Sequence, residues 1–193
     1  MRHLFRSPSL IVPLLALVMA SAALAAVTTP DPKKLVLRRS DVPAGLRLLY
    51  AAARPKSSAD IQPPPNSRAW IVGYAKTTPP LTVVASSAYV FTSTSAARTG
   101  FARMLTEFAN GGVRLYGSRL KTLAVPRLGD EGRGWTLACD GTHCPVGSTQ
   151  AFLLVRKGGI AWGLEVLRAA ARQVVVGELL TLARKQMRLV AGA

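Results

Sequence analysis

Few residues in this sequence have the chemistry to act as nucleophile, base or metal ligand. Cys139 and Cys144 are the only cysteines, and they bracket the run Cys-Asp-Gly-Thr-His-Cys with His143 inside it. His3 is the one other histidine. A structural zinc site takes four Cys or His ligands, commonly as two separated pairs. Cys139, Cys144, His143 and Asp140 offer one pair and nothing to complete it, so neither a metal nor any other cofactor is expected. Nucleophilic hydrolysis needs a nucleophile, a base and an orienting group. His143 sits in a turn between the cysteines, and Gly147-Ser148-Thr149 lacks the second glycine of a nucleophile elbow. A histidine-based triad is therefore not expected, and no catalytic residue is assigned. The glycines at 129, 132 and 134 do not follow the dinucleotide-binding spacing, and there is no phosphate-binding P-loop.

Carboxylates remain. A glycosidase works with two acids about 5–10 Å apart, and the pair to consider first is Asp130-Glu131, between Gly129 and Gly132 and close to Trp135. Solvated charge or turn capping is the competing role for both acids. Cations are the larger signal. There are 25 Lys+Arg against 9 Asp+Glu, a net charge of +16, which suits anionic partners. The densest groups are Lys33-Lys34 with Arg38-Arg39, then Arg114, Arg119, Lys121 and Arg127, then Arg184-Lys185-Arg188. Candidate ligand or polyanion contacts are accordingly Arg114, Arg119, Lys121, Arg127, Asp130, Glu131 and Trp135. Arg outnumbers Lys 18 to 7, a bias that a GC-rich genome produces without selection for binding, so both origins of the charge stay open. Aromatics do not interleave with the basic groups as a single-strand platform requires, and no nucleic-acid partner is expected.

The N-terminus supplies a location. Arg2, His3 and Arg6 precede an apolar run over 10–19, and small residues follow over 20–26, the order of a secretory signal. Ala23-Leu24-Ala25 offers a cleavage site before Ala26. Removing the signal peptide 1–25 leaves 193 − 25 = 168 residues and, with Arg2 and Arg6 gone, a charge of 23 − 9 = +14. No transmembrane span would then remain. The alternative is an uncleaved anchor, since the apolar run approaches the ~17 residues that cross a bilayer. In an oxidising compartment an even cysteine pair reads as a disulfide. Asp140-Gly141 is a turn dipeptide that brings Cys139 and Cys144 together, as a local staple on a short loop.

The elements that must position these groups follow from periodicity. Residues 26–68 are coil-rich, with 35–50 packed on a domain spanning 69–193. Residues 69–75 and 81–91 read as strands forming a hairpin, with Ser86 and Ser87 in the middle of the second, where one face is expected to be wet. Thr94 or Ser95 caps a helix whose stripe is Ala97, Phe101, Met104, Leu105 and Phe108, and Asn110-Gly111-Gly112 ends it. A short strand falls within 113–125 and a turn-rich connector over 126–134. Residues 135–139, 150–156 and 160–167 are strands, the last two joined by a Lys157-Gly158-Gly159 turn. A final helix over 173–190 buries Val176, Leu180, Ala183, Met187 and Val190. Trp70, Trp135 and Trp162 each lie in a strand, where core packing is the default. The order β-β-α-β-β-β-β-α predicts an α+β fold, a mainly antiparallel sheet of hairpins with two principal helices packed on one face.

This layout resembles uncharacterised exported domains of actinobacterial type. In them a Leu-x-x-x-Asp-Val/Leu-Pro-x-Gly opening precedes a hairpin, a helix, a Leu-Gly-Asp-Glu turn, a second hairpin and a terminal helix. Here those elements are Leu37 with Ser40-Asp41-Val42-Pro43-Ala44-Gly45, Leu128-Gly129-Asp130-Glu131, and the hairpin around Lys157-Gly158-Gly159. The order is also similar to the extracellular sensor domain of a mycobacterial serine/threonine kinase, and more distantly to PsbP-like α/β sandwiches. The resemblance spans most of 35–190, rests on short motifs and transfers no functional residue. It implies an antiparallel sheet with helices and a non-catalytic binding or sensing role. The expected function is an exported binding or sensor-like domain in or outside the cell envelope, its partner an anionic polymer, a lipid or an envelope protein. Two alternatives stand beside it: a carboxylate-dependent cell-wall hydrolase, and a structural or inhibitor-like interaction module.

Overall fold

Apolar residues occupy both alternating sets of positions in the central strands: Val84, Ala88 and Val90 in one set with Tyr89 and Phe91 in the other, then Leu153 and Val155 with Leu154. Successive side chains point to opposite faces, so a sheet of such strands has to be covered on both. The computed structural model describes residues 29–53, 63–76, 78, 80–116, 119–141 and 144–193, with 112–116 described for backbone alone. The expected signal peptide and His143 lie outside the described residues.

Seven strands form one antiparallel sheet: β1 (Arg47–Ala52), β2 (Ser67–Lys76), β3 (Thr82–Phe91), β4 (Leu120–Leu123), β5 (Glu131–Ala138), β6 (Thr149–Lys157) and β7 (Ile160–Arg168), in the order β1-β2-β3-β7-β6-β5-β4. Helix α1 (Thr94–Tyr116) joins β3 to β4, and α2 (Arg172–Ala191) follows β7. The α+β class and the antiparallel hairpins are as expected. The helices, however, do not share a face. Ala97, Phe101 and Met104 of α1 pack with Tyr89, Phe91, Leu154 and Ala161. Val175, Leu179, Leu182, Ala183 and Val190 of α2 pack with the alternate set, Val84, Val90, Leu153, Val155, Trp162 and Leu164. One helix per face is what two-sided apolar strands demand.

Four other expectations are corrected. β1 is a strand within the segment read as coil, paired with β2 from Arg47↔Ala75 to Ala52↔Ile71. Helix α1 runs through Asn110-Gly111-Gly112. At 1.5 Å per residue its 23 residues reach about 34 Å, enough to cross the roughly 19 Å of sheet between β3 and β4. Its cap is Ser93, whose Oγ accepts the Ala96 N–H at 3.0 Å, one residue before Thr94. The buried stripe of α2 is Val175, Leu179, Leu182, Ala183, Gln186 and Val190, rotated by about one position, because the central buried residue is a glutamine.

That glutamine is hydrogen-bonded throughout. Gln186 Oε1 accepts from Ser86 Oγ at 3.0 Å, and its Nε2 donates to the Ser87 carbonyl at 3.0 Å. Ser86 Oγ in turn accepts the Leu37 N–H at 3.1 Å. Ser86 is thus buried while Ser87, on the other face, is half-buried, and Ser86 ties α2 and the N-terminal segment to the same strand. Leu35, Val36, Leu37, Val42 and Leu46 join the α2-side core. Tyr74 Oη donates to the Leu37 carbonyl at 3.1 Å. Burial, then the nearby Asp41 carboxylate, push the Tyr74 phenol above its usual range, against the opposing pull of Arg39.

Candidate functional site

The acids singled out in the sequence meet an unforeseen partner. Arg156 lies on β6, its side chain 3% exposed. Its Nε and Nη2 donate to Glu131 Oε1 at 3.0 and 2.7 Å. Its Nη1 donates to Asp130 Oδ2 and to the Gly158 carbonyl, both at 3.1 Å. A buried guanidinium needs this many acceptors, since an unpaired charge there is strongly unfavourable.

The Leu128-Gly129-Asp130-Glu131 run builds the clamp. Asp130 N–H donates to the Arg156 carbonyl at 2.8 Å, which seats the loop against β6. Gly129 permits the approach: a Cβ there would lie 2.5 Å from the Arg156 carbonyl oxygen and 2.7 Å from Val155 Cγ1. Asp130 Oδ2 also accepts the Gly158 N–H at 2.8 Å, inside the β6–β7 turn, where Gly158 has φ +56°. Glu131 opens β5 opposite Arg156, so β5 starts four residues before the expected position.

This geometry bears on acid–base chemistry. The Gly158 N–H first of all holds the Asp130 carboxyl below the usual range; burial opposes it, and the Arg156 and Lys157 cations add to the lowering. A glycosidase acid requires the opposite shift. Trp135 packs against Phe108 at 4.5 Å between ring centroids, and so serves the α1 side of the core.

The expected basic contacts divide. Arg119 forms an ion pair with Asp140, next to the Cys139–Cys144 disulfide, whose Cα atoms are 5.3 Å apart. That bridge packs with Leu137 and Leu167. Lys121 on β4 and Arg127 in the following loop are exposed. The Arg114 side chain lies outside the described residues. The structure therefore brings Asp130 and Glu131 together on Arg156. Sequence reasoning missed Arg156. A lone cation in the run Ala151-Phe152-Leu153-Leu154-Val155-Arg156 was the available signal, because a charge in a strand buried on both faces needs a partner.

The same pattern extends over the molecule. Asp60 lies outside the described residues, and each of the other eight acids has an internal partner. Asp31 accepts the Lys33 N–H and Asp41 the Arg38 N–H. Glu107 pairs with Arg103, Asp130 and Glu131 with Arg156, Asp140 with Arg119, and Glu178 with Arg168. Glu165 accepts from Gln150 at 2.6 Å. Among the described residues five cations, Arg103, Arg119, Arg156, Lys157 and Arg168, take part in ion pairs. Of the other cations whose side chains are described, all but Lys185, whose Nζ donates to the Asp41 carbonyl at 2.6 Å, are exposed.

No family model and no curated protein match the chain. The crystal structure of the extracellular domain of PknH from Mycobacterium tuberculosis is similar in fold, with a TM-score of 0.56 and 8% sequence identity. The match covers 84% of this chain and 97% of that one.

Proposed function

We propose that this chain is an exported, non-catalytic domain that binds an anionic component of the cell envelope. The observation carrying the reading is the distribution of charge. Every described acid is engaged within the fold, so the excess positive charge has no internal counterpart and attracts polyanions at the surface. The N-terminal signal pattern, the Cys139–Cys144 disulfide and the fold shared with an extracellular domain support export. The engagement of Asp130 and Glu131 by Arg156 favours binding over a hydrolase that uses those acids.

Two measurements test it. Mass spectrometry of secreted protein should give a mature start near Ala26 and a mass two hydrogens short at the cysteine pair. A full-length, reduced, intracellular product would remove export. Retention on anionic liposomes and on anionic cell-wall polymer should fall steeply as salt rises, and salt-independent or absent retention would remove the anionic partner. One observation favours an interaction module instead: edge strand β1 leaves Leu48 and Leu49 58% and 61% exposed, a row onto which another protein's strand could add.

A further inference from the structure

We infer that the cleft between the 3-10 turn Pro32–Lys34 and the start of β2 is a binding site for an acidic saccharide unit, one bearing a carboxylate or a phosphate. This rests on the anionic-ligand reading above and gives it a place. The cleft holds about 710 Å³ and is lined by Lys33, the Pro63-Pro64-Pro65 run, Asn66, Arg68 and Trp70 among others. That volume falls in the roughly 300–1,000 Å³ range of ligand pockets.

The walls are fixed by local chemistry. Arg68 and Trp70 are two apart on β2 and so share a face. Lys33, in the 3-10 turn Pro32–Lys34, sets its Nζ 4.4 Å from the Trp70 ring centroid. A cation held over an aromatic face stays desolvated on that side and restricted in position. Arg68 Nη2 donates to the carbonyls of Thr29 and Pro30 at 3.2 and 3.0 Å, which orients the guanidinium and leaves the rest of its fork for an anion. Three consecutive prolines have fixed φ values. Their wall is pinned by Ser67 Oγ donating to the Pro64 carbonyl at 2.6 Å and by the Thr92 N–H donating to the Asn66 carbonyl at 3.2 Å. Asp31, the one acid lining the cleft among the described residues, already accepts the Lys33 N–H at 3.1 Å.

These groups match one ligand chemistry. Two cations meet an anionic substituent. Flat proline faces and the Lys33 stem accept the C–H face of a sugar ring. The Asn66 amide can meet a hydroxyl. Rigid walls lower the ordering cost of binding.

The test uses the secreted chain and two probes, a uronic-acid oligosaccharide and poly(glycerol phosphate), by titration calorimetry at about 0.15 M salt and by tryptophan fluorescence. Lys33→Glu with Arg68→Glu should weaken binding about tenfold or more, as expected on losing charge-assisted contacts. Arg98→Glu with Arg184→Glu reverses two exposed charges on the helices and should change affinity less than about twofold, because exposed charges act weakly at a distance. Trp162 is fully buried and Trp135 lies against Phe108, so a ligand-induced emission change should vanish in Trp70→Phe. That readout holds even if the double variant folds poorly. Binding of one probe alone supports the cleft and identifies the anion. Binding that resists Lys33→Glu/Arg68→Glu, or an emission change that survives Trp70→Phe, overturns the cleft and leaves the proposed function standing. Binding of neither probe overturns the cleft, and the proposed function then stands or falls on the liposome and cell-wall retention.

Discussion

The arginine clamp makes a prediction about asymmetry. Only 3% of the Arg156 side chain is exposed, whereas Asp130 and Glu131 are 37% and 49% exposed. Replacing both acids by alanine leaves a buried cation with one described acceptor, the Gly158 carbonyl at 3.1 Å. Stranding a charge in this way costs about 3–5 kcal/mol. Arg156→Met instead fills the volume and leaves two carboxylates that water reaches, at about 1–2 kcal/mol. The triple variant should resemble Arg156→Met, so the coupling between the cation and its acids equals the cost of the acid double variant, about 3–5 kcal/mol, and the effects are not additive. With a urea m-value of about 2 kcal/mol/M, the acid double variant shifts the midpoint by about 2 M and Arg156→Met by under about 1 M. A pH series adds a second arm. The folded Asp130 carboxyl sits below its unfolded value of about 4. Its contribution is complete above that value and is lost as pH falls through the folded pKa. Asp130→Asn should therefore be less stable at neutral pH and should lose less stability on acidification. Equal costs for the two kinds of variant, or a triple variant equal to their sum, would refute the idea that burial of the guanidinium dictates the site.

Other expectations concern the frame. Gln186→Leu strands the Ser86 hydroxyl and the Ser87 carbonyl and should cost about 1–3 kcal/mol in urea unfolding, despite the gain in apolar character. Gly129→Ala places a Cβ 2.5 Å from the backbone oxygen of Arg156 and should cost about 1–3 kcal/mol through forced displacement of the loop. A wild-type midpoint in that variant would show that the loop has room. Cys139→Ser with Cys144→Ser opens a bridge of sequence separation 5, and the chain-entropy relation puts its loss at about 2 kcal/mol, measurable as a lowered thermal midpoint that reductant reproduces in wild type.

Much of the frame was legible because the α1 stripe and the strand hairpins have clean periods. The Lys157-Gly158-Gly159 turn needed only its glycines. What the sequence hid has physical causes. Apolar neighbours such as Leu153-Leu154, buried on opposite faces, look in sequence the same as a strand with one strongly apolar face, so the sequence alone does not reveal that the second face takes a helix of its own. A buried glutamine scores as polar, which rotated the α2 stripe off Gln186. Asn110-Gly111-Gly112 signals an end, but a chain that must cross the sheet from β3 to β4 keeps its helix. At the site, Asp130 and Glu131 were visible as an acidic pair. Their role was not, because it depends on Arg156, which is 25 residues or more away in sequence and reaches them only through the β5–β6 register.

That long-range pairing also bears on how function divides from structure in this chain. With nine acids against 25 cations, a carboxylate is the scarce group. The fold spends its acids where backbone or buried charge needs them: Asp31 and Asp41 on local N–H groups, Asp130 and Glu131 on a buried guanidinium, Glu178 on Arg168. Reversing the exposed cleft cations Lys33 and Arg68 to acids should thus change stability little while lowering affinity for polyanions. Removing native acids should do the reverse, lowering stability with little loss of binding. The two classes of substitution separate on two axes, urea midpoint and salt-dependent retention. If acid substitutions weakened retention while the midpoint held, the carboxylates would belong to the binding surface, and the division argued from their partners would be wrong.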